Sequence, residues 1–146
     1  MFLPIKNDDF IKELLKKEEG QTLDFKKTIS DCYKIAKTLV AFANTSGGII
    51  AIGISDQKKI TGIDPEEEIF MIEKASRDFC HPQIAFSIEV YEIDYLEEEQ
   101  LDEEICIVII TVPKAQFKHY LKEKSGKLIS YIRDKDESLP EINPSS

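Results

Sequence analysis

FANTSGGIIAIGISD, residues 42–56, decides how this chain is read. It joins a helix end to two adjacent glycines, an unbroken apolar run and a carboxylate. Upstream, Cys32, Ile35, Ala36, Leu39, Val40 and Ala43 recur at the spacing of one helix face. Ser30 is a good N-cap for that helix. Gly47 and Gly48 end it, because glycine takes the left-handed C-terminal conformation at little steric cost. IIAIGI follows at once and is apolar on both faces. That predicts an interior strand, with Gly53 as a bulge or a point of close backbone approach.

This order of elements argues against a nucleotide loop. A P-loop needs GxxxxGK[ST] after a strand and before a helix, so that helix N-terminal amides and the lysine meet the phosphates. Here Ile49 and Ile50 follow the glycines, and the order is helix then strand.

Working outward, Asn7 and Asp8 can cap a leading helix carrying Phe10, Ile11, Leu14 and Leu15, with Gly20 near its end. QTLDFKK reads as a strand with Leu23 and Phe25 on one face and Asp24 and Lys26 on the other. After DQKK makes a turn, KITG reads as a short returning strand. Asp64 and Pro65 open a third helix with Ile69, Ile72, Ala75 and Phe79, which stops at His81 and Pro82. IAFSIEVYEI and ICIVIITV read as an antiparallel pair joined by an acidic loop, the second strand central. KLISYIR offers a last strand before the tail ESLPEINPSS frays. The expected fold is α+β: one domain, a mixed and mostly antiparallel sheet, and about three helices packed on it. Its core covers about residues 8–137, with a polar tail over 138–146 and no internal repeat or linker.

Composition bounds the function. With 146 residues, 42% of them hydrophobic, the chain can bury a core without disulfides or metal. Cys32, Cys80 and Cys106 are widely spaced among apolar neighbours and read as core thiols. There is no apolar run near the roughly 18 to 20 residues of a membrane span, and MFLPIKNDD turns acidic too soon for a secretory signal, so a cytoplasmic protein is expected. Net charge is -9, which opposes broad phosphate attraction. Seven carboxylates fall in DYLEEEQLDEE, residues 94–104, read as a solvated loop. Basic residues cluster elsewhere: Lys26, Lys27, Lys34 and Lys37, then Lys114, Lys118, His119, Lys122, Lys124 and Lys127. His81 and His119 have no Ser or Cys partner at a spacing that implies a hydrolase triad. Asn44 and Thr45 read as hydrogen-bonding the helix C-terminal turn. Arg133 can brace the glycine turn or a carboxylate, or meet a phosphate.

EGQTLDFKK, AFANTSGGIIAIGISD, ITGI, a helix ending before a proline, and YIR together resemble the Schlafen-type AlbA-like domain over roughly residues 13 to 137. The resemblance implies a DNA- or RNA-binding module associated with transcriptional regulation. Such domains are commonly followed by an ATPase-related or winged-helix region, so the chain reads either as a stand-alone domain or as a fragment. Lys26, Lys27, Lys118, Lys122 and Arg133 are then the candidate nucleic-acid contacts, with no cofactor required and binding weakened by the net charge. The resemblance also implies an alternative, a metal-dependent endoribonuclease. Glu19, Asp24 and Asp56 match its three metal-binding, catalytic carboxylates, with Mg or Mn as the ion, although Asp24 stands where a longer Glu is expected. Lys26 would share the strand face of Asp24 and neutralise phosphate charge. Alternatively, Asp24 and Lys26 pair on a solvent face while Asp56 starts a turn. A third reading is a protein-interaction or oligomerisation domain, a homodimer included, whose acidic loop meets a basic partner.

Overall fold

A computed structural model describes residues 3–96 and 99–141, with the backbone alone for 94–96 and 99–104. Two continuous apolar runs build its centre. β2 (Gly48–Ile52) lies between β1 (Leu23–Lys26), to which it is parallel, and β5 (Glu99–Val112), to which it is antiparallel. β4 (Ser87–Leu96) pairs antiparallel with the far side of β5, giving the order β1-β2-β5-β4. Both faces of this sheet are covered, which is why its inner strands are apolar throughout.

On one face, Ile50, Ile52, Val108, Ile110 and Val112 pack under α2 (Cys32–Asn44) and α3 (Pro65–Phe79). On the other, Ala51, Ile107 and Ile109 pack with Leu23 and Phe25 under Ile11 and Leu14 of α1 (Asp8–Leu15). Phe10 of α1 stacks on Tyr91 of β4 with ring centroids 4.9 Å apart. Each buried Ile or Leu contributes about 1.5–3 kcal/mol of apolar transfer, so these strands carry much of the stability. The expected α+β fold, with three helices on a mixed and mostly antiparallel sheet, is the one observed.

Two smaller ladders complete the domain. β3 (Cys80–His81), β6 (Tyr120–Lys122) and β7 (Leu128–Ile129) form one; β8 (Tyr131–Asp134) and β9 (Glu137–Pro140) form the other. β9 corrects the expected fraying of ESLP: Arg133 pairs with Ser138 and Asp134 with Glu137 across a tight turn. Residues 142–146 of that expected tail lie outside the described residues. Most of the expected acidic loop is strand instead, since backbone pairing continues through Tyr95 with Gln100 and Leu96 with Glu99. Its tip, Glu97 and Glu98, lies outside the described residues. KITG supplies a single bridge, Ile54 with Ile60, rather than a strand.

Local chemistry sets the junctions. Asp31, not Ser30, caps α2, accepting from the Tyr33 and Lys34 amides at 2.8 and 3.4 Å. Asn7 caps α1 as expected, and α1 ends at Leu15, one turn before Gly20. Gly47, at φ +73°, donates its N–H to the Phe42 carbonyl at 2.7 Å and closes the end of α2. A Cβ there would sit 2.6 Å from the Val112 carbonyl oxygen and 2.9 Å from the Lys114 nitrogen, so glycine is required twice over. At Gly53, φ +108°, the amides of Gly53 and Ile54 both reach the Lys26 carbonyl, at 2.7 and 3.2 Å. That bulge moves Ile54 to the α1 face, opposite Ile52. Of the three cysteines only Cys80 is fully buried, its thiol pushed up to about 12 by burial; Cys32 and Cys106 are half-buried.

Candidate functional site

β1 and β2 run parallel with Asp24 beside Ile50 and Lys26 beside Ile52, and the segment before β1 doubles back along it through an antiparallel bridge of Gly20 with Leu23. Glu19 lies just before β1, and its Oε2 accepts from the Phe25 amide at 3.5 Å. Asp56 is exposed on the turn after β2, closed by Ser55 N to Lys59 O at 2.9 Å and Lys58 N to Ser55 O at 2.9 Å. An ion pair of 2.8 Å between Lys58 Nζ and Glu18 Oε1 ties that turn to the segment carrying Glu19.

Asp24 is the buried centre of the corner, 3% exposed. Its Oδ1 faces Arg133 Nη2 at 3.2 Å, and its Oδ2 faces Lys26 Nζ at 3.3 Å. The expected Asp24–Lys26 pair therefore forms, but not on a solvent face, because Arg133 covers it. The lysine contact is an ion pair without hydrogen-bond alignment, and buried Oδ2 has no hydrogen-bond partner. Glu19 resolves part of this demand. Its carboxyl is pushed up to about 7, first by burial, then by a hydrogen bond with Asp24 and the charges of Asp24 and Asp56, against a smaller pull from the Phe25 amide. Two carboxylates cannot hydrogen-bond to each other; with the proton on Glu19, the pair can.

Arg133 is buried and fully engaged, which removes it from the candidate phosphate contacts. Its Nε donates to the carbonyls of Gly20 at 3.0 Å and Lys135 at 3.2 Å, and Nη2 donates to Leu23 O at 3.4 Å. Its guanidinium lies over the Phe42 ring, 4.8 Å from the centroid. Its own amide donates to Thr45 Oγ1 at 2.8 Å.

The FANT residues tie the same elements together. Thr45 Oγ1 donates back to Ala41 O at 2.8 Å, a bond within the helix end. Asn44 reaches farther than its own turn: Nδ2 has His119 O, Ser130 Oγ and Tyr131 O within 2.9–3.0 Å to share its two N–H bonds, and Oδ1 accepts from His119 N at 2.9 Å. His119 is buried, its Nδ1 2.7 Å from Pro82 O. Glu68 is an unforeseen buried acid, 5% exposed, that accepts from Thr28 Oγ1 and from Ile29 N at 2.9 Å and pins the loop after β1 to α3. Its place at a helix start gave the sequence no reason to turn it inward.

The candidate lysines separate into paired and unpaired groups. Lys26 is held by Asp24, and Lys118 bonds Glu141 at 2.9 Å. Lys27 is exposed at the end of β1; Lys122, Lys124 and Lys127 are exposed on β6 and the turn into β7. Among the described residues these four make no ion pair.

As for metal, all-oxygen donors suit a hard divalent ion, and Asp24 Oδ2 faces Lys26 Nζ without a hydrogen-bond partner. Glu19 and Asp24 are the two carboxylates of the corner that would hold such an ion, with water and substrate phosphate completing its shell. The charge of Asp56 acts on Glu19, but Asp56 does not complete a ligand triad: no three His, Cys, Asp or Glu among the described residues stand close enough to hold an ion.

Together these features define a small α+β domain whose last hairpin locks a buried arginine–carboxylate corner at the end of a parallel strand pair. The chain belongs to the Schlafen AlbA_2 family, whose model matches residues 19–142. The DIP2311 protein from Corynebacterium diphtheriae, known from a crystal structure, is similar over 83% of this chain, with 18% identity and a TM-score of 0.53. The likeness is one of fold, and this chain spans 22% of that one. No protein of curated function matches the sequence significantly. Among the described residues no helix is long and apolar enough to cross a membrane.

Proposed function

We propose that this domain is a cytoplasmic nucleic-acid-binding module of the regulator-associated kind, meeting the phosphate backbone of DNA or RNA with its β6–β7 hairpin. The observation that carries this reading is the set of exposed ammonium groups at Lys122, Lys124 and Lys127 on one hairpin, none of them ion-paired among the described residues. Family membership supports it. Ammonium groups that already neutralise Asp24 or Glu141 release few counterions on binding, whereas unpaired ones release about one each. Three such contacts predict weak affinity with a log–log salt slope on the order of −3 for duplex DNA. Fluorescence anisotropy with labelled duplex DNA and single-stranded RNA between low and moderate salt tests this. Each of Lys122→Gln, Lys124→Gln and Lys127→Gln should flatten the slope by about one. Undetectable binding, or a triple variant that binds like the parent, would sink the reading.

A second reading, metal-dependent endoribonuclease, is favoured by the Asp24 oxygen that lacks a hydrogen-bond partner and by the elevated proton affinity of Glu19 beside it. A cation at Glu19 would take the place of the proton that burial and the neighbouring Asp24 and Asp56 charges favour there. Glu19 and Asp24 would hold magnesium or manganese, with Asp56 at the rim. When bound, such an ion supplies an activated water and stabilises charge developing on phosphorus. Lys26, its side chain 42% exposed, could then turn from Asp24 to a phosphate oxygen. Incubation with structured RNA and manganese decides between the two readings. Cleavage lost in both Glu19→Gln and Asp56→Ala, variants at partly or fully exposed positions, supports the nuclease; cleavage that survives both excludes this site.

A further inference from the structure

Phe70 on α3 is 61% exposed, and its ring stands between two open grooves of about 520 and 590 Å³. The first has Ile69 and Val90 on its apolar wall and Asp64, Glu66 and Glu73 at its rim; the second sets Ile29 and Met71 against Glu66 and Glu67. No Lys, Arg or His lines either groove among the described residues. The helix dipole explains acids in the first turn of α3, and Asp64 also caps it by accepting from the Glu66 amide at 3.1 Å. It does not explain Glu73, two turns farther on, or an aromatic ring left in water between carboxylates. Glu66, Glu67 and Glu73 make no ion pair among the described residues, so their charge is available to a partner.

We infer that this face of α3 docks a cationic amphipathic segment of a partner protein, an apolar side chain packing beside Phe70 and Lys or Arg meeting the acid rim. Apolar surface rimmed by one sign of charge marks an interaction site, and the charge selects the occupant. Nucleic acid and anionic membrane surfaces are repelled by the carboxylates. A second copy is disfavoured too, because a two-fold contact would set acid rim against acid rim. No residue of the β6–β7 hairpin lines either groove, so this surface does not depend on the nucleic-acid reading.

The test is an amide-shift titration of the ¹⁵N-labelled domain with a helical peptide of leucine and lysine. The same helix with glutamate for lysine, and oligolysine, run beside it. The Leu–Lys peptide should bind with shifts centred on residues 65–79, while the Glu analogue does not bind. Phe70→Ala, at an exposed position whose amide spectrum reports an intact fold, should weaken binding at least about tenfold, as for an interface anchor. Glu66→Gln with Glu73→Gln should weaken it severalfold at low salt and little at high salt. Shifts centred on residues 94–104, oligolysine binding as tightly, or unchanged affinity in Phe70→Ala would each overturn the inference.

Discussion

Replacing Arg133 by Met tests how this fold is locked. The substitution keeps an unbranched apolar stem but deletes the guanidinium that faces Asp24 Oδ1 at 3.2 Å and bonds the Gly20, Leu23 and Lys135 carbonyls. Asp24 is 3% exposed, so water cannot replace the lost partner, and Lys26 reaches only the other oxygen. Removing one member of a buried ion pair costs about 3–5 kcal/mol, because the remaining charge is stranded. For a chain of this size that lowers Tm by on the order of 6–20 °C. Urea unfolding followed by circular dichroism measures it, with Asp24→Asn and the double variant completing a mutant cycle. If stranded charge is the cause, Asp24→Asn should recover part of the loss in the Arg133→Met background, with a coupling above about 1 kcal/mol. Strictly additive costs, or a loss under about 1 kcal/mol for Arg133→Met, would refute the reasoning.

Gly47→Ala should destabilise by about 2–4 kcal/mol, part from the positive φ and part from main-chain overlap at Val112 and Lys114, read as a lower urea midpoint at unchanged slope. For Glu19, the folded carboxyl titrates near 7, above its ordinary value of 4.5, so the native state holds the extra proton between those pH values. Its contribution is therefore present below about pH 4.5 and lost as pH rises through 7. Glu19→Gln should match the parent in thermal stability near pH 4 and exceed it near pH 8 when chelator is present. Manganese, if it binds as the nuclease reading requires, should raise the Tm of the parent at pH 8 and leave Glu19→Gln unmoved. Asn44→Ala should cost about 2–3 kcal/mol, since it leaves the His119 amide and the Tyr131 carbonyl short of partners, measured by the same urea unfolding.

What the sequence disclosed was what neighbours in sequence determine. The helix end at Gly47, the inner strand that follows and the Pro65 helix start depend on caps and dihedral preferences within a few residues. Asp24 was legible as a strand residue but not as a buried one, because the arginine that covers it lies 109 positions away. Asn44 was read as closing its own helix turn for the same reason: its partners are 75 to 87 residues downstream. The α2 cap differs by one residue because Ser30 and Asp31 are adjacent side chains of similar capping ability; in the fold the Asp31 carboxylate takes the Tyr33 and Lys34 amides. The acidic strand extensions had no side-chain signal, since the ladder there is a backbone property. The β8–β9 turn did have one, an Asp-Lys-Asp run over residues 134–136 with Lys135 at φ 55°, a turn composition just before the polar tail.

The arginine lock also fixes when the corner can exist. Gly20, Leu23 and Asp24 leave the ribosome more than a hundred residues before the guanidinium that fastens them, so a nascent chain can form α2 and β2 but must hold Asp24 open to water. Closure is therefore a late, long-range step, and the loop-closure entropy it overcomes is set by a span of 109 to 113 residues. A chain cut before Arg133 would lose more than its last hairpin: it would carry Glu19, Asp24 and Lys26 in order along the sequence and never assemble them.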